Sequence, residues 1–187
     1  MEGYKPVAAS QTTITELMIP SYSNFGGKVH GGTILSLMDK AAYACASKHA
    51  EAYCVTASID TVDFIASVEV GELVSLFASV NYVGRTSLIV GIKAISENIK
   101  TQSVKHTNTS YFTMVAMDEQ LKPVEVPGLI LRTDDEKRRF YQAFRRKELK
   151  RNFRVEEARV KVEFDEAAVM DILKKERCIL ETTTSMV

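Results

Sequence analysis

The apolar run from Thr33 to His49 constrains this chain more than any other feature. Ile34, Leu35, Met38, Ala41, Ala42 and Cys45 recur at spacings of three and four, and Leu37 and Ala44 lie off that face. Most of the circumference of the helix predicted over residues 32 to 48 is therefore apolar, and such a helix must be buried. At 1.5 Å per residue it is about 25 Å long, enough to cross a whole sheet. A polar, glycine-rich loop feeds it: Asn24-Phe25-Gly26-Gly27-Lys28-Val29-His30-Gly31-Gly32. The helix carries a lone carboxylate, Asp39, whose neighbours three and four residues away are Leu35, Ser36, Ala42 and Tyr43, none of them cationic. Burying an unpaired carboxylate is costly, and sites that do so are candidates for proton transfer near neutral pH.

The rest of the chain reads as strands arranged about that helix. Thr12 to Met18 is a first strand, ended by Pro20 and the polar cluster Ser21 to Asn24, and residues 1 to 10 show no pattern. After the helix the period becomes alternating. Val55, Ala57 and Ile59 alternate with Thr56, Ser58 and Asp60, and Val62 and Phe64 fall on the other parity, which predicts a bulge near Asp60-Thr61. Gly71-Glu72 makes a turn. Val74, Leu76, Ala78, Val80 and Tyr82 form one face of a long strand, Gly84-Arg85 reverses it, and Leu88, Val90, Ile92 and Ala94 line its return. A further strand spans about Thr107 to Met117, after which Pro123 and Pro127 close the core. Antiparallel hairpins with one apolar helix call for an α+β fold in which a curved sheet wraps that helix, and its edges favour at least a dimer.

Composition changes after residue 130. The first domain is read as 1–130 and the extension as 131–187, with a basic helix over 133–151, acidic at its start and basic at its end. A short strand at Val160, Val162 and Phe164 is expected next. A helix from Asp165 to about Arg177 follows, with Val169, Ile172 and Leu173 on one face.

At 187 residues with 45% apolar content the chain can bury a real core. Its 24 basic and 24 acidic residues cancel, so an anionic ligand must find a local patch, and nucleic acid is disfavoured. Cys45, Cys54 and Cys178 have neither disulfide-framework nor metal-like spacing. With no signal sequence or membrane-spanning stretch evident, a cytoplasmic protein without metal or redox cofactor is expected. His49 and His106 have no partner spacing, and no role is assigned to them.

The pattern Asn-Phe-Gly-Gly-x-x-His-Gly-Gly, followed by Asp39 on the helix, resembles the acyl-CoA thioesterases of the hotdog fold, in their broad-range and long-chain branch. The resemblance covers roughly residues 10 to 125. It implies a five-stranded antiparallel sheet around one central helix, hydrolysis of acyl-CoA to fatty acid and coenzyme A, and no cofactor beyond the substrate's own coenzyme A. It also implies sites shared across a dimer, with Asn24 from one subunit and Asp39 from the other, and assembly as a trimer of dimers. The corner Arg85-Thr86-Ser87 is where such enzymes commonly place coenzyme A.

The chemistry can be argued from the residues as well. Thioester hydrolysis needs an activated water and a place for the negative charge on the carbonyl oxygen. Main-chain N–H groups at the helix start, with glycine at 31 and 32 permitting close approach, suit the second need. Asp39 suits the first, as general base or as a nucleophile giving an anhydride. Asn24 orients water or thioester. His30 either braces the loop or serves as a base. Arg138, Arg139, Arg145 and Arg146 form a candidate cradle for the phosphates of coenzyme A, or simply a solvated helix face. Gly32 and Asp39 lie about 10 Å apart along one helix axis, too far to act on one carbonyl, and two antiparallel helices from two protomers close that gap. Dehydratase chemistry is disfavoured: position 44 is alanine, and His30 leads into Gly31-Gly32. The rival reading is a non-catalytic acyl-CoA sensor or scaffold, against which the short stretch before the first strand is counted.

Overall fold

In the computed structural model, which describes residues 3–162 and 165–179, the apolar run folds as α1 (Gly31–Ala50). Around it the chain forms β1 (Tyr4–Pro6), β2 (Thr12–Leu17), β3 (Tyr53–Ile59), β4 (Leu73–Val83), β5 (Ser87–Asn98), β6 (Ser103–Met117) and β7 (Gly128–Ile130). Beyond them lie α2 (Asp134–Val162) and α3 (Glu166–Leu173). Five strands make one antiparallel sheet in the order β2-β4-β5-β6-β3. All five touch α1, which gives the wrapped-helix architecture of the hotdog fold.

The core is the interface of one sheet face with one helix face. Ile34, Leu37, Met38, Ala41, Ala42, Cys45 and Ala46 of α1 are buried against Val74, Leu76, Val80, Val90, Ile92, Phe112 and Met114. Each fully buried large apolar side chain contributes about 1.5–3 kcal/mol over its exposed state. The opposite side of α1 is not covered. Gly32, Ser36, Lys40 and Tyr43 stand exposed along it, so within one chain the helix is buried on one side only.

Two irregularities re-aim side chains that alternation had placed. The β4–β5 register shifts between Val80 and Tyr82, which takes Tyr82 off the buried face expected of it. Its ring instead meets Phe140 (centroids 5.3 Å apart) and Phe144 (6.1 Å) of α2. On β3 the shift falls between Thr56 and Ser58, not at Asp60-Thr61, and the strand ends at Ile59. A bulge displaces every later side chain by one position, and alternation alone does not locate it when apolar and polar residues interleave weakly.

Residues 1 to 10 also depart from expectation. β1 pairs in parallel with β7, and Val7 and Ser10 are buried, with Ser10 Oγ accepting from Val80 N–H at 3.1 Å. Three-residue strands are too short for alternation to reveal. Gly128 belongs to this pairing: a Cβ there would come within 2.3 Å of the Tyr4 ring.

α2 runs well past residue 151. Thr133 and Glu136 form a capping box at its start, Thr133 Oγ1 accepting from Glu136 N–H (3.1 Å) and Glu136 Oε2 from Thr133 N–H (3.1 Å). No Gly or Pro interrupts 134–162, so the helix continues through Val160 and Val162, where a strand was expected; Phe164 lies outside the described residues. Two compact units are distinguished, one up to Phe144 and one from Arg145 onward, the division falling within α2. Among the described residues no helix is long and apolar enough to cross a membrane.

His49, given no role from the sequence, is fully buried at the end of α1, where its Nε2–H donates to Pro127 O (2.8 Å). Nδ1 is then a buried lone pair without a partner among the described residues, and burial holds the ring's pKa below its ordinary value. Because the folded-state value is the lower one, the unfolded chain takes up the proton first as pH falls. Stability is therefore expected to be full above about pH 6.5 and to decline progressively below it. His49→Gln, which keeps a donor and cannot titrate, should lose less melting temperature than wild type between about pH 7 and pH 5.

Candidate active site

The loop before α1 is built by its own polar groups. Asn24 Oδ1 accepts from Gly26 N–H (2.9 Å) and Lys28 N–H (3.2 Å), and Asn24 N–H donates to Lys28 O (2.7 Å). Gly27 stands between them at φ +75°, a left-handed conformation that favours glycine. Lys28 Nζ pairs with Glu69 at 2.6 Å, tying the loop to the segment before β4. Phe25, at the tip, is wholly exposed. The Asn24 carbonyl oxygen is thus engaged in shaping the loop, while its Nδ2 donors point to no partner among the described residues.

His30 is the N-cap of α1. Its Nδ1 accepts from Gly32 N–H at 2.9 Å, an unusual use of imidazole where Ser, Thr, Asp or Asn is common. A neutral ring accepting at Nδ1 carries its proton on Nε2. This bond engages His30 at the helix start and distinguishes the two glycines. The Gly32 amide is taken by the cap. The Gly31 amide, one residue earlier, has no hydrogen-bond partner among the described residues.

Asp39 lies three residues beyond Ser36, at the edge of the uncovered side of α1. It is half-buried, not sealed in the core as an all-round apolar helix suggested, because the sheet covers only one side of that helix. Nor is it unpartnered: Thr56 Oγ1 donates to Asp39 Oδ1 at 2.6 Å. Thr56 reaches it because Cys54 and Thr56, paired with Ala116 and Met114, form the helix-facing side of β3. Sequence reading missed this residue. Val55, Ala57 and Ile59 are the more apolar set, and the only signal against them was Cys54 on the parity of Thr56.

The uncovered face of α1 carries two hollows that share Lys40. One, about 590 Å³, is lined by Tyr22, His30, Gly32, Ser36 and Lys40 among others. The second, about 360 Å³, is lined by Asp39, Lys40, Tyr43, Tyr53, Cys54 and Thr56. The helix start and the carboxylate therefore open onto separate spaces within one chain, as their axial spacing predicts.

Arg85, Thr86, Ser87, Arg138 and Arg139 line neither hollow. Arg85, Thr86 and Ser87 occupy the β4–β5 corner, where Gly84 N–H donates to Ser87 O (2.7 Å) and Arg85 O accepts from Val126 N–H (3.0 Å). Arg138 and Arg139 both pair with Asp135, the latter at 2.7 Å, and these contacts hold the Asp135 carboxyl below its ordinary range, the Arg138 hydrogen bond being the leading cause. Arg145 and Arg146 are exposed and lie in the second unit.

An antiparallel sheet curved on one helix, entered through a capped glycine-rich start, defines a hotdog protein. The thioesterase superfamily matches residues 26–103. The protein VdlD of Helicobacter pylori is 46% identical over 134 residues, 72% of this chain and 76% of that protein. A crystal structure of an apo, hexameric acyl-CoA thioesterase superposes with a TM-score of 0.78 at 40% identity, covering 80% of this chain and 96% of the other. An acyl-CoA hydrolase from Staphylococcus aureus, solved with butyryl coenzyme A and coenzyme A, superposes with a TM-score of 0.77 at 30% identity, covering 84% and 96%. Further structures of that enzyme carry alanine in place of an asparagine, an aspartate and a threonine. The chain belongs to the thioesterase superfamily, and it is an enzyme of that family's acyl-CoA thioester hydrolase group.

Removing the His30 cap tests the local geometry without touching Asp39. His30→Ala should lower stability by about 1 kcal/mol, the usual cost of losing an N-cap, read as a shift in the urea midpoint at fixed protein concentration. His30→Asn should restore most of it.

Proposed function

We propose that the protein hydrolyses acyl-CoA thioesters to a free fatty acid and coenzyme A in the cytoplasm, at sites each completed by two protomers. The observation that carries this reading is the Thr56–Asp39 pair on the uncovered face of α1. The asparagine, aspartate and threonine replaced in the S. aureus enzyme are separated by 15 and 17 positions, as are Asn24, Asp39 and Thr56.

In this mechanism Thr56 holds Oδ1 of Asp39 and leaves Oδ2 to take a proton from water. Water attacks the thioester carbonyl as Asp39 accepts that proton. Negative charge developing on the carbonyl oxygen is met by the Gly31 N–H at the positive end of α1, with Gly32 contributing through its bond to the His30 cap rather than directly. Asn24, through Nδ2, orients the thioester. Collapse of the tetrahedral intermediate expels the coenzyme A thiolate, which recovers the proton from Asp39, so that one water is consumed for each thioester cleaved.

Two protomers packed with their α1 helices antiparallel bring the glycine end of one to the Asp39 hollow of the other, and a trimer of such dimers matches the hexameric neighbour. The corner Arg85-Thr86-Ser87 and the arginines Arg138, Arg139, Arg145 and Arg146 are proposed contacts for the phosphates of coenzyme A. Arg138 and Arg139 would have to share or leave Asp135 to serve.

Thiol release across acyl-CoAs of increasing chain length tests the activity. Asp39→Ala should lose on the order of 100-fold or more in kcat, the scale of a general base, and Thr56→Val should fall between it and wild type. Binding of acyl-CoA by wild type without thiol release would favour the sensor reading instead. Shared sites have a sharper test: Asn24→Ala and Asp39→Ala, each inactive alone, should on mixed refolding regain about a quarter of wild-type activity, since half the dimers are mixed and each has one intact site. No recovery would place both residues in one protomer's site.

A further inference from the structure

The segment Asp60–Ser67 has no regular structure, yet the sheet holds it firmly. Asp60 N–H donates to Tyr111 O (2.9 Å) and Ile65 N–H to Thr107 O (2.9 Å). The fully buried Asn108 donates through Nδ2 to Asp63 O at 3.0 Å. Two of these bonds fall on the residues immediately before and after Phe64, so its backbone is fixed on both sides. Its side chain is nonetheless 53% exposed. The ring rests against the start of α1: a Cβ built on Gly31 would lie 3.1 Å from Phe64 Cζ and 3.4 Å from Cε2. The Phe64 ring crowds the space that a side chain at position 31 would need, beside an amide that has no partner among the described residues.

We infer that Phe64 is a specificity-determining residue, the wall of the acyl-chain subsite next to the thioester carbonyl. The inference rests on the thioesterase reading and on the Gly31 N–H as the group that receives the carbonyl oxygen. An oxygen held about 3 Å from that nitrogen brings the substituents of the carbonyl carbon within reach of a ring lying on Gly31. Those substituents are the acyl chain and the sulfur of the coenzyme A arm. The ring suits the acyl chain, since covering methylenes with apolar surface is favourable at about 25 cal/mol per Å². The coenzyme A arm brings an amide two carbons from sulfur, which an apolar wall would desolvate without offering a hydrogen bond. With its backbone held on both flanks, the ring yields only by rotating about its own side-chain torsions, and an acyl chain lying along it needs no such rotation. The ring therefore favours straight chains lying along it over groups branched or broadened next to the carbonyl.

The test is the ratio of kcat/KM for isobutyryl-CoA to that for butyryl-CoA, and for benzoyl-CoA to hexanoyl-CoA, in wild type, Phe64→Ala and Phe64→Leu. These ratios do not depend on the concentration of active enzyme. Phe64→Ala should raise both about tenfold or more, the scale on which pocket shape discriminates apolar groups, with Phe64→Leu intermediate. Should the alanine variant fail to fold, the leucine variant still reports the trend. Unchanged ratios in a folded variant overturn the inference while leaving the hydrolase reading intact. A uniform rise in KM for every substrate also overturns it, by placing the ring on the coenzyme A arm. Absence of thiol release from any acyl-CoA in wild type removes the thioesterase reading itself, and this inference with it.

Discussion

A single curved sheet can cover only one side of a helix. α1 is apolar around most of its circumference, and the five strands bury Met38, Ala41, Ala42 and Cys45 while leaving Gly32, Ser36, Lys40 and Tyr43 in the open. The rest of the molecule follows from that shortfall. Asp39 sits at the boundary between covered and uncovered faces, where a carboxylate can be reached by water and substrate yet held by a neighbouring strand. Among the described residues no further strand pairs with either edge of the sheet, β2 or β3, and sheet edges invite covering by another copy. The two hollows flanking Lys40 lie on the same uncovered side, so covering this face and completing the site are the same event in the proposed dimer.

The helix start shows how few polar atoms decide the chemistry. Two adjacent glycine amides look equivalent in sequence. The cap bond from Gly32 N–H to His30 Nδ1 separates them, leaving Gly31 N–H as the amide without a partner among the described residues. Asn24 is divided in the same way, its Oδ1 closing the loop and its Nδ2 left over. Phe64, whose neighbours Asp63 and Ile65 are held by Asn108 Nδ2 and by the Thr107 carbonyl, rests its ring against Gly31. Groups that shape the backbone and groups available to a substrate are different atoms of the same few residues.

Legibility in the sequence tracked the range of the interaction responsible. The helix, the β4–β5 hairpin and the inward face of β5 rest on local periodicity and were readable, whereas β6 begins at Ser103, before the Thr107 expected of it. Tyr82 and Thr56 were not, because each lies beside a register shift that depends on the partner strand. β1 escaped because its partner β7 is more than a hundred residues away. The end of α2 was misplaced because three alternating residues near Val160 fit either a strand or an uninterrupted helix, and only the absence of a breaker argued for the latter.

By itself the sequence determined that one apolar helix must be wrapped by antiparallel strands, and that a glycine-rich loop with Asn24 and His30 must lead into it with Asp39 seven residues beyond Gly32. These are consequences of side-chain period and backbone freedom, which act within a few residues. Only the tertiary structure decided that Asp39 is half-open and held by Thr56, that Gly31 rather than Gly32 keeps its amide, and that Phe64 stands over it. The amides are separated by the side-chain rotamer of His30, and the other two outcomes depend on which strand crosses the helix at which height. That height is set by bulges and by hydrogen bonds between residues far apart in the chain.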